Sequence, residues 1–132
     1  MAAADPVIAV VAKLKAAATS AGNRVNPQLN TQEPTFPLIL VTVVGAEGSA
    51  KLSGASSALR KHIVRCDCYG DTEAASQALG KQVRDALAPD GTPWVDAGNG
   101  VQGCFWQDGS DGATEDGARF RQETFAVWHS PT

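Results

Sequence analysis

The segment HIVRCDCYGD, residues 62–71, contains the pattern that decides the fold. Its apolar and sulfur-bearing side chains alternate with Arg and Asp at a period of two, which is the spacing of a strand with one buried face. Cys66 and Cys68 share that buried face, and Gly70 ends the strand. The segment therefore predicts a strand over residues 61–69.

A helix is predicted directly after this strand. Asp71 or Thr72 is a suitable N-cap, because a short oxygen-bearing side chain accepts hydrogen bonds from the first free amides of a helix. Apolar residues then recur at helical spacing until the Pro and Gly of residues 88–91. The members of this stripe are Ala75, Leu79, Val83, Ala86 and Leu87.

Two elements are predicted before the central strand. Asp5 and Pro6 form a good helix start, and apolar helical spacing continues until Gly22 and Asn23. Residues 37–44, PLILVTVV, are rich in β-branched side chains and predict a buried strand. The prolines between these elements favour a short extended piece and a loop.

The last third predicts two more strands, around Val101–Gln107 and Arg119–Trp128, joined by an acidic loop at about residues 108–118. Residues 45–60 are rich in Gly, Ser and Ala, so we expect a long mobile loop between two central strands. The whole order predicts one α+β domain over residues 1–132. It has a mainly antiparallel sheet of four to five strands and two helices packed on one face.

Charge and composition exclude several classes of protein. The net charge of −3 argues against a nucleic-acid-binding module, and no Lys or Arg occurs between Asp85 and Ala118. No apolar run approaches the roughly 20 residues of a membrane-spanning helix. Lys13 and Lys15 interrupt the N-terminal apolar stretch, so we expect neither a signal peptide nor a membrane protein. An odd number of cysteines favours folding in a reducing cytoplasm.

No residue pattern favours catalysis or a cofactor. A zinc site needs four ligands, and the candidates beside Cys66 and Cys68 are His62, His129 and Cys104, most of them distant in sequence. Core packing is therefore the favoured role of these cysteines, with a small Cys-dependent metal-binding protein as an alternative. Nucleotide-binding and nucleophile motifs are absent from the sequence. We therefore expect no enzyme, no cofactor and no metal.

Some features are compatible with two interpretations. The acidic loop places four carboxylates within nine residues, but an EF-hand register fails at Gly112 and Ala113, which favours a solvated loop. Trp106 and Trp128 fit either the core or an interface. Residues 45–60 fit either a surface loop or a segment that orders against a partner.

Nearly the whole chain resembles the tail terminator, or tail completion, family of long-tailed bacteriophages and prophages. One specific part of the resemblance is Arg24-Val25 leading to Phe36-Pro37 and a hydrophobic strand. The other is the passage from a strand into an alanine-rich helix over residues 69–87.

This resemblance implies a structural virion protein of the tail or neck, assembled in the bacterial cytoplasm and without catalysis. Such a protein forms a hexameric ring that caps the head-proximal end of the tail tube, ends tube polymerisation and provides the head-tail joining surface. The implied partners are further copies of the chain, the tail tube protein and the head-tail connector or head completion protein. No membrane or sequence-specific nucleic acid is implied, although DNA can pass through the ring. Another neck or tail-tube component is the alternative.

A ring requires complementary faces, because every subunit contacts its neighbours through two different patches. The acidic stretch after Asp85 is therefore predicted to meet basic residues of a neighbouring copy. The predicted subunit-interface residues are Glu47, Lys51, Leu52, Arg60, Lys61, Asp108, Asp111, Glu115 and Asp116.

Overall fold

The described residues form two helices and five strands. The computed structural model describes residues 6–17, 19–22, 24–26, 36–50, 56–89, 94–96, 98, 100–113 and 119–129, with the backbone alone at residues 26, 46–50 and 56–59. The elements in chain order are α1 (Pro6–Ala16), β1 (Val25–Asn26), β2 (Leu38–Ala50), β3 (Ser56–Gly70), α2 (Glu73–Leu87), β4 (Val101–Ala113) and β5 (Arg119–His129). Neither described helix is long and apolar enough to cross a membrane.

The strands form one open sheet in the order β1-β2-β3-β5-β4. The short strand β1 is parallel to β2, and all other neighbouring strands are antiparallel. Buried side chains of both helices share one apolar cluster with side chains of β2, β3, β4 and β5, so both helices cover the same face. The predicted α+β class, with a mainly antiparallel sheet and two helices on one face, is confirmed.

β3 is the central strand and shows the predicted alternation. Val64, Cys66 and Cys68 are fully buried within the cluster that faces the helices. Arg65 and Asp67 point to the opposite face, where their side chains form an ion pair at 3.2 Å. The pattern in residues 62–71 therefore sets which face of the sheet is covered.

α2 begins where the sequence predicts it. Thr72 is the N-cap, and its hydroxyl oxygen accepts a hydrogen bond from the Ala75 amide at 3.0 Å. Leu79, Val83 and Leu87 are almost completely buried against the sheet. Each such side chain contributes about 1.5–3 kcal/mol relative to an exposed position, so this stripe attaches α2 to the sheet.

α1 and β1 cover the β2 end of the sheet. Val10 and Leu14 of α1 are fully buried, whereas Ile8 of the same helix is exposed. Arg24 connects β1 to β2 because its Nε donates to the Pro37 carbonyl at 2.7 Å and its own carbonyl accepts from the Ile39 amide at 2.9 Å. The segment from Arg24 to Pro37 therefore begins and ends at adjacent points of the sheet.

The predicted loop over residues 45–60 is much shorter than expected. β2 continues to Ala50 and β3 begins at Ser56, and the antiparallel ladder between them reaches the Ala50–Ser56 pair. An antiparallel ladder is made by backbone groups, so a segment of small side chains can extend a hairpin beyond the core. Residues 51–55, which connect the two strands, lie outside the described residues.

The predicted acidic loop is also shorter. β4 extends through residues 108–113, which pair with residues 119–124 of β5. Here too the ladder continues past the apolar residues, because the hydrogen bonds of a hairpin do not require buried side chains. Residues 114–118, with Glu115 and Asp116, lie outside the described residues.

Gly70, at the junction between β3 and α2, should not tolerate a side chain. A Cβ at this position would lie 2.6 Å from the Ser76 amide nitrogen and 2.9 Å from the Ala75 carbonyl carbon, both backbone atoms. We expect Gly70→Ala to lower the free energy of unfolding by about 1–3 kcal/mol, as measured by urea denaturation. Gly45→Ala is the matched control, because the nearest atom to its Cβ is Ile63 Cγ1 at 3.8 Å. Equal denaturation midpoints for the two variants would contradict this packing.

Candidate assembly surfaces

The three cysteines lie in the core and are not disulfide-bonded. Burial raises the pKa of the Cys66 and Cys68 thiols above their usual range and that of Cys104 to about 12. All three are therefore protonated at neutral pH, whereas nucleophilic attack and metal binding require a thiolate. Within the described part of the chain, no group of three or more His, Cys, Asp or Glu side chains is placed to hold a metal ion.

A buried carboxylate, Glu123, is the centre of a polar cluster between α2 and the edge of the sheet. Its side chain is 1% exposed. Trp106 Nε1 donates to Glu123 Oε2 at 2.6 Å, and Arg121 Nε donates to Oε1 at 2.8 Å. Arg84 of α2 places its Nε 3.8 Å from Oε2. Both carboxylate oxygens thus have donors or a cation nearby, as a buried charge requires.

Strand register brings this cluster together. In the sheet, Glu123 of β5 pairs with Gly109 of β4, and Arg121 pairs with Asp111. A Cβ at Gly109 would lie 2.5 Å from Arg121 Nη2, so the glycine leaves space for the guanidinium. Arg121 Nη1 also lies 3.4 Å from Asp111 Oδ1.

The Glu123 cluster joins β4, β5 and α2 in one network. The hydrogen bond to Glu123 raises the pKa of the Arg121 guanidinium above its usual value. The Arg84 guanidinium lies 5.4 Å from the centre of the Trp106 ring, within the range of a cation–π contact. The direct effect of these contacts is to hold the edge strand β4 against α2.

Sequence reasoning missed Glu123, although a signal was present. On β5, Glu123 falls in the same alternating phase as Phe125 and Val127, which are both fully buried. An acidic residue in the apolar phase of a strand indicates a buried carboxylate with partners. Those partners lie on two other elements, and the sequence alone did not give the register that brings them together.

The sheet face opposite the helices carries a row of aromatic rings. Phe36 stacks on Tyr69 with ring centres 5.7 Å apart, and Tyr69 contacts Phe120 at 5.2 Å. Leu38 and Leu40 also lie on this face, in alternation with the core residue Ile39, and both are buried. This outer face is therefore partly apolar rather than uniformly solvated.

The predicted interface residues fall into two separated groups. Arg60 and Lys61 lie on β3, where they pair with β2 and β5, whereas Asp108 and Asp111 lie on β4. Since β5 lies between β3 and β4, one chain does not bring these basic and acidic residues together. Asp111 already contacts Arg121 and, through Oδ2, accepts from Gln77 Nε2 at 3.3 Å.

The remaining predicted interface residues cannot be placed as side chains. For Glu47 the structure describes only the backbone, which pairs with Lys61. The others lie outside the described residues: Lys51, Leu52, Glu115 and Asp116.

Exposed apolar side chains on the edge strands, such as Phe105 and Trp106, are typical of a surface that contacts another protein. Comparison with protein families specifies the class further. The family model of the tail completion protein gp17 matches residues 5–128. The chain therefore belongs to the tail completion protein gp17 family, and it is a structural protein of the tail or neck of a phage virion.

The fold has a counterpart among solved structures. A chain from the "Virion of native gene transfer agent (GTA) particle" matches with a TM-score of 0.62 and 17% sequence identity. The match covers 94% of this chain and 93% of that chain, so the two share their fold over nearly the full length. A search of curated proteins gives no match.

The buried carboxylate of Glu123 should matter far more for stability than an exposed one. We expect Glu123→Gln to lower the free energy of unfolding by about 2–4 kcal/mol, because it leaves Arg121 and Arg84 without their buried counter-charge. Asp85→Asn makes the same chemical change in an exposed pair, Lys81–Asp85, and should cost about 0.5 kcal/mol or less. Urea denaturation of both variants measures the difference, and similar losses would show that the Glu123 cluster does not stabilise the fold.

Proposed function

We propose that this chain is a tail terminator. In this proposal, several copies, six by the family resemblance, form a ring on the head-proximal end of the tail tube. The ring ends tube polymerisation and provides the surface to which the head-tail connector or head completion protein binds. The observation that carries the proposal is the match of the tail completion family to residues 5–128.

A closed ring accounts for termination in physical terms. A tube grows while its last ring offers the surface that the next ring recognises. A terminator must bind that surface and present a different one, which a cyclic ring with unlike top and bottom faces does. The function then requires complementary surfaces rather than reactive groups, in agreement with the protonated, buried thiols.

The charge of the subunit suits a channel for DNA. The chain carries a net charge of −3. Negative charge repels the phosphate backbone, so DNA would pass such a ring without being retained.

Charge complementarity between neighbouring copies forms a second part of the proposal. Arg60 of β3 and Asp108 of β4 are both exposed, and β5 separates their strands within one chain. Contacts between two copies would bring such groups together without any change of fold. Lys51, Lys61, Glu115 and Asp116 are proposed to extend the same contact.

Without this protein, the length of the tail tubes should no longer be fixed. Phage or prophage particles produced without the chain are expected to carry tail tubes of excess and variable length, measured by negative-stain electron microscopy. Restoring the chain from a plasmid is the control and should restore one length. Tubes of normal length that lack heads would contradict termination and indicate another component of the neck.

Association between copies should depend on salt if the proposed charge pairing operates. We expect the average mass measured by sedimentation to fall as ionic strength rises from about 0.05 to 0.5 M, because exposed charge pairs are screened over that range. Replacement of Arg60 and Lys61 by Glu should have the same effect at low salt. Lys81→Glu is the control, since Lys81 pairs with Asp85 on the exposed side of α2. A mass unaffected by both salt and the double replacement would contradict charge pairing.

A further inference from the structure

The sheet has two long edges without a neighbouring strand in the described part of the chain. On one side, β1 pairs with Ile39 and Leu40, and among the described residues Val41–Ala50 of β2 has a strand partner on its β3 side alone. On the other side, β4 pairs with β5, and the described residues place one bridge on its outer edge, from Asp96 to Val101. Backbone groups along an unpaired edge are a template for another strand.

Exposed apolar side chains are concentrated at these two edges. Val44 of β2 is 50% exposed, and Phe105 and Trp106 of β4 are 47% and 42% exposed. Val95 lies next to the start of β4, and Ile8 belongs to α1, which packs beside β1 and β2. These five are the large hydrophobic side chains that the described residues expose, and none of them belongs to the central strands or to α2.

The topology makes the two edges compatible with each other. β2 and β5 run in one direction, and β3 and β4 run in the other. A second copy that continues the sheet in the same orientation therefore places its β2 antiparallel to β4 of the first. The available lengths also agree, because Val41–Ala50 and residues 102–113 span about 33 Å and about 40 Å.

Charge favours pairing of unlike edges over pairing of like edges. A two-fold β4–β4 pair centred on Asp108, close to the middle of the strand, would place the Asp108 side chains of both copies directly opposite each other, and like charges in that position destabilise a sheet. The described side chains of Val41–Gly45 on β2 carry no charge. Pairing of two unlike edges is heterologous, which is the type of contact that closes into rings.

We infer that copies of this chain join by strand addition. The outer edge of β4 in one copy forms an antiparallel ladder with Val41–Ala50 of β2 in the next, so that the sheets of the ring are continuous. Pairing of this kind satisfies the free backbone groups and buries the exposed side chains at both edges. The inference rests on the proposed ring, for which it supplies a contact separate from the proposed charge pairing, because β2 of the second copy lies between its Arg60 and Lys61 on β3 and β4 of the first copy.

The Glu123 cluster supports this contact from within the subunit. Trp106 donates to Glu123, and Arg121 connects Glu123 to Asp111, so two points of β4 are bound to side chains of β5. An edge strand held in a fixed position loses little further freedom when a neighbour pairs with it. Trp106 therefore both joins the cluster and presents part of its ring to a neighbouring copy.

Cross-linking between differently tagged copies tests the inference. One copy carries Val44→Cys, and the other carries Phe105→Cys, Gln107→Cys or Ser110→Cys, which sample the register. Assembled tails are treated with a short bismaleimide. We expect a cross-linked product that contains both tags for at least one of the pairs. Ala78→Cys, on the exposed side of α2, should give none with either edge. The native thiols contribute little, because Cys66, Cys68 and Cys104 are buried.

The possible results are distinct. Cross-links only between Val44→Cys copies or only between β4 copies would overturn the inference in favour of two-fold pairing. Cross-links of these positions to the tube protein alone would overturn it in favour of docking on the tube. No cross-link in tails of normal length would also overturn it while leaving the proposed function intact. Normal tails in the complete absence of the chain would instead overturn the proposed function.

A charged residue introduced on the edge strand β4 gives a second test, which does not require the register of the β4–β2 ladder to be known. We expect Phe105→Lys to raise the dissociation constant between copies, measured by sedimentation, at least tenfold. Tails assembled with this variant should then have tubes of excess and variable length. Ala78→Lys, at an exposed site away from both edges, should change neither. Both variants must show the circular dichroism and melting temperature of the unmodified chain. A folded Phe105→Lys variant with unchanged association would contradict the β4–β2 contact.

Discussion

The register of β3 between β2 and β5 is the constraint on which the rest of the structure depends. Val64 pairs with Val43 on one side and with Phe125 on the other, and Cys66 pairs with Val41 and Glu123. Because side chains alternate between faces, a slip of one residue would direct Arg65 and Asp67 into the core. The same register decides which face α2 covers and where both edges of the sheet lie. The central strand therefore determines where the proposed assembly edges lie, although it does not belong to either of them.

The buried carboxylate of Glu123 connects the central strand of the sheet to its edge strand β4. It lies opposite Cys66 of β3 and contacts Trp106 of β4 and Arg121 of β5. A buried charge is costly without partners, so β4 must occupy a defined position for the network to be satisfied. We therefore propose that one polar cluster in an otherwise apolar layer fixes the position of the edge strand to which a neighbouring copy would bind.

The sequence predicted the centre of the fold better than its periphery. The strand around Cys66 and the helix after Thr72 follow from strong periodicity and a capping residue, and both are confirmed. The hairpin extensions were missed because their small side chains carry no periodic signal, although the backbone ladder continues through them. The resemblance to tail completion proteins is confirmed at the level of the family. The predicted interface residues were mostly charged, with Leu52 among them and Trp106 and Trp128 left open between core and interface. The proposed contact at the edges, with Phe105, could not be predicted because it depends on the strand order.

The position of the chain in the virion tests the central claim most directly. A tagged form of the protein can be located on intact tails by gold labelling and electron microscopy, with unlabelled tails of the untagged strain as the control. The account predicts label at one end of the tube only, at the junction with the head. Label spread along the tube, or confined to the end that lies away from the head, would contradict the assignment as a tail terminator.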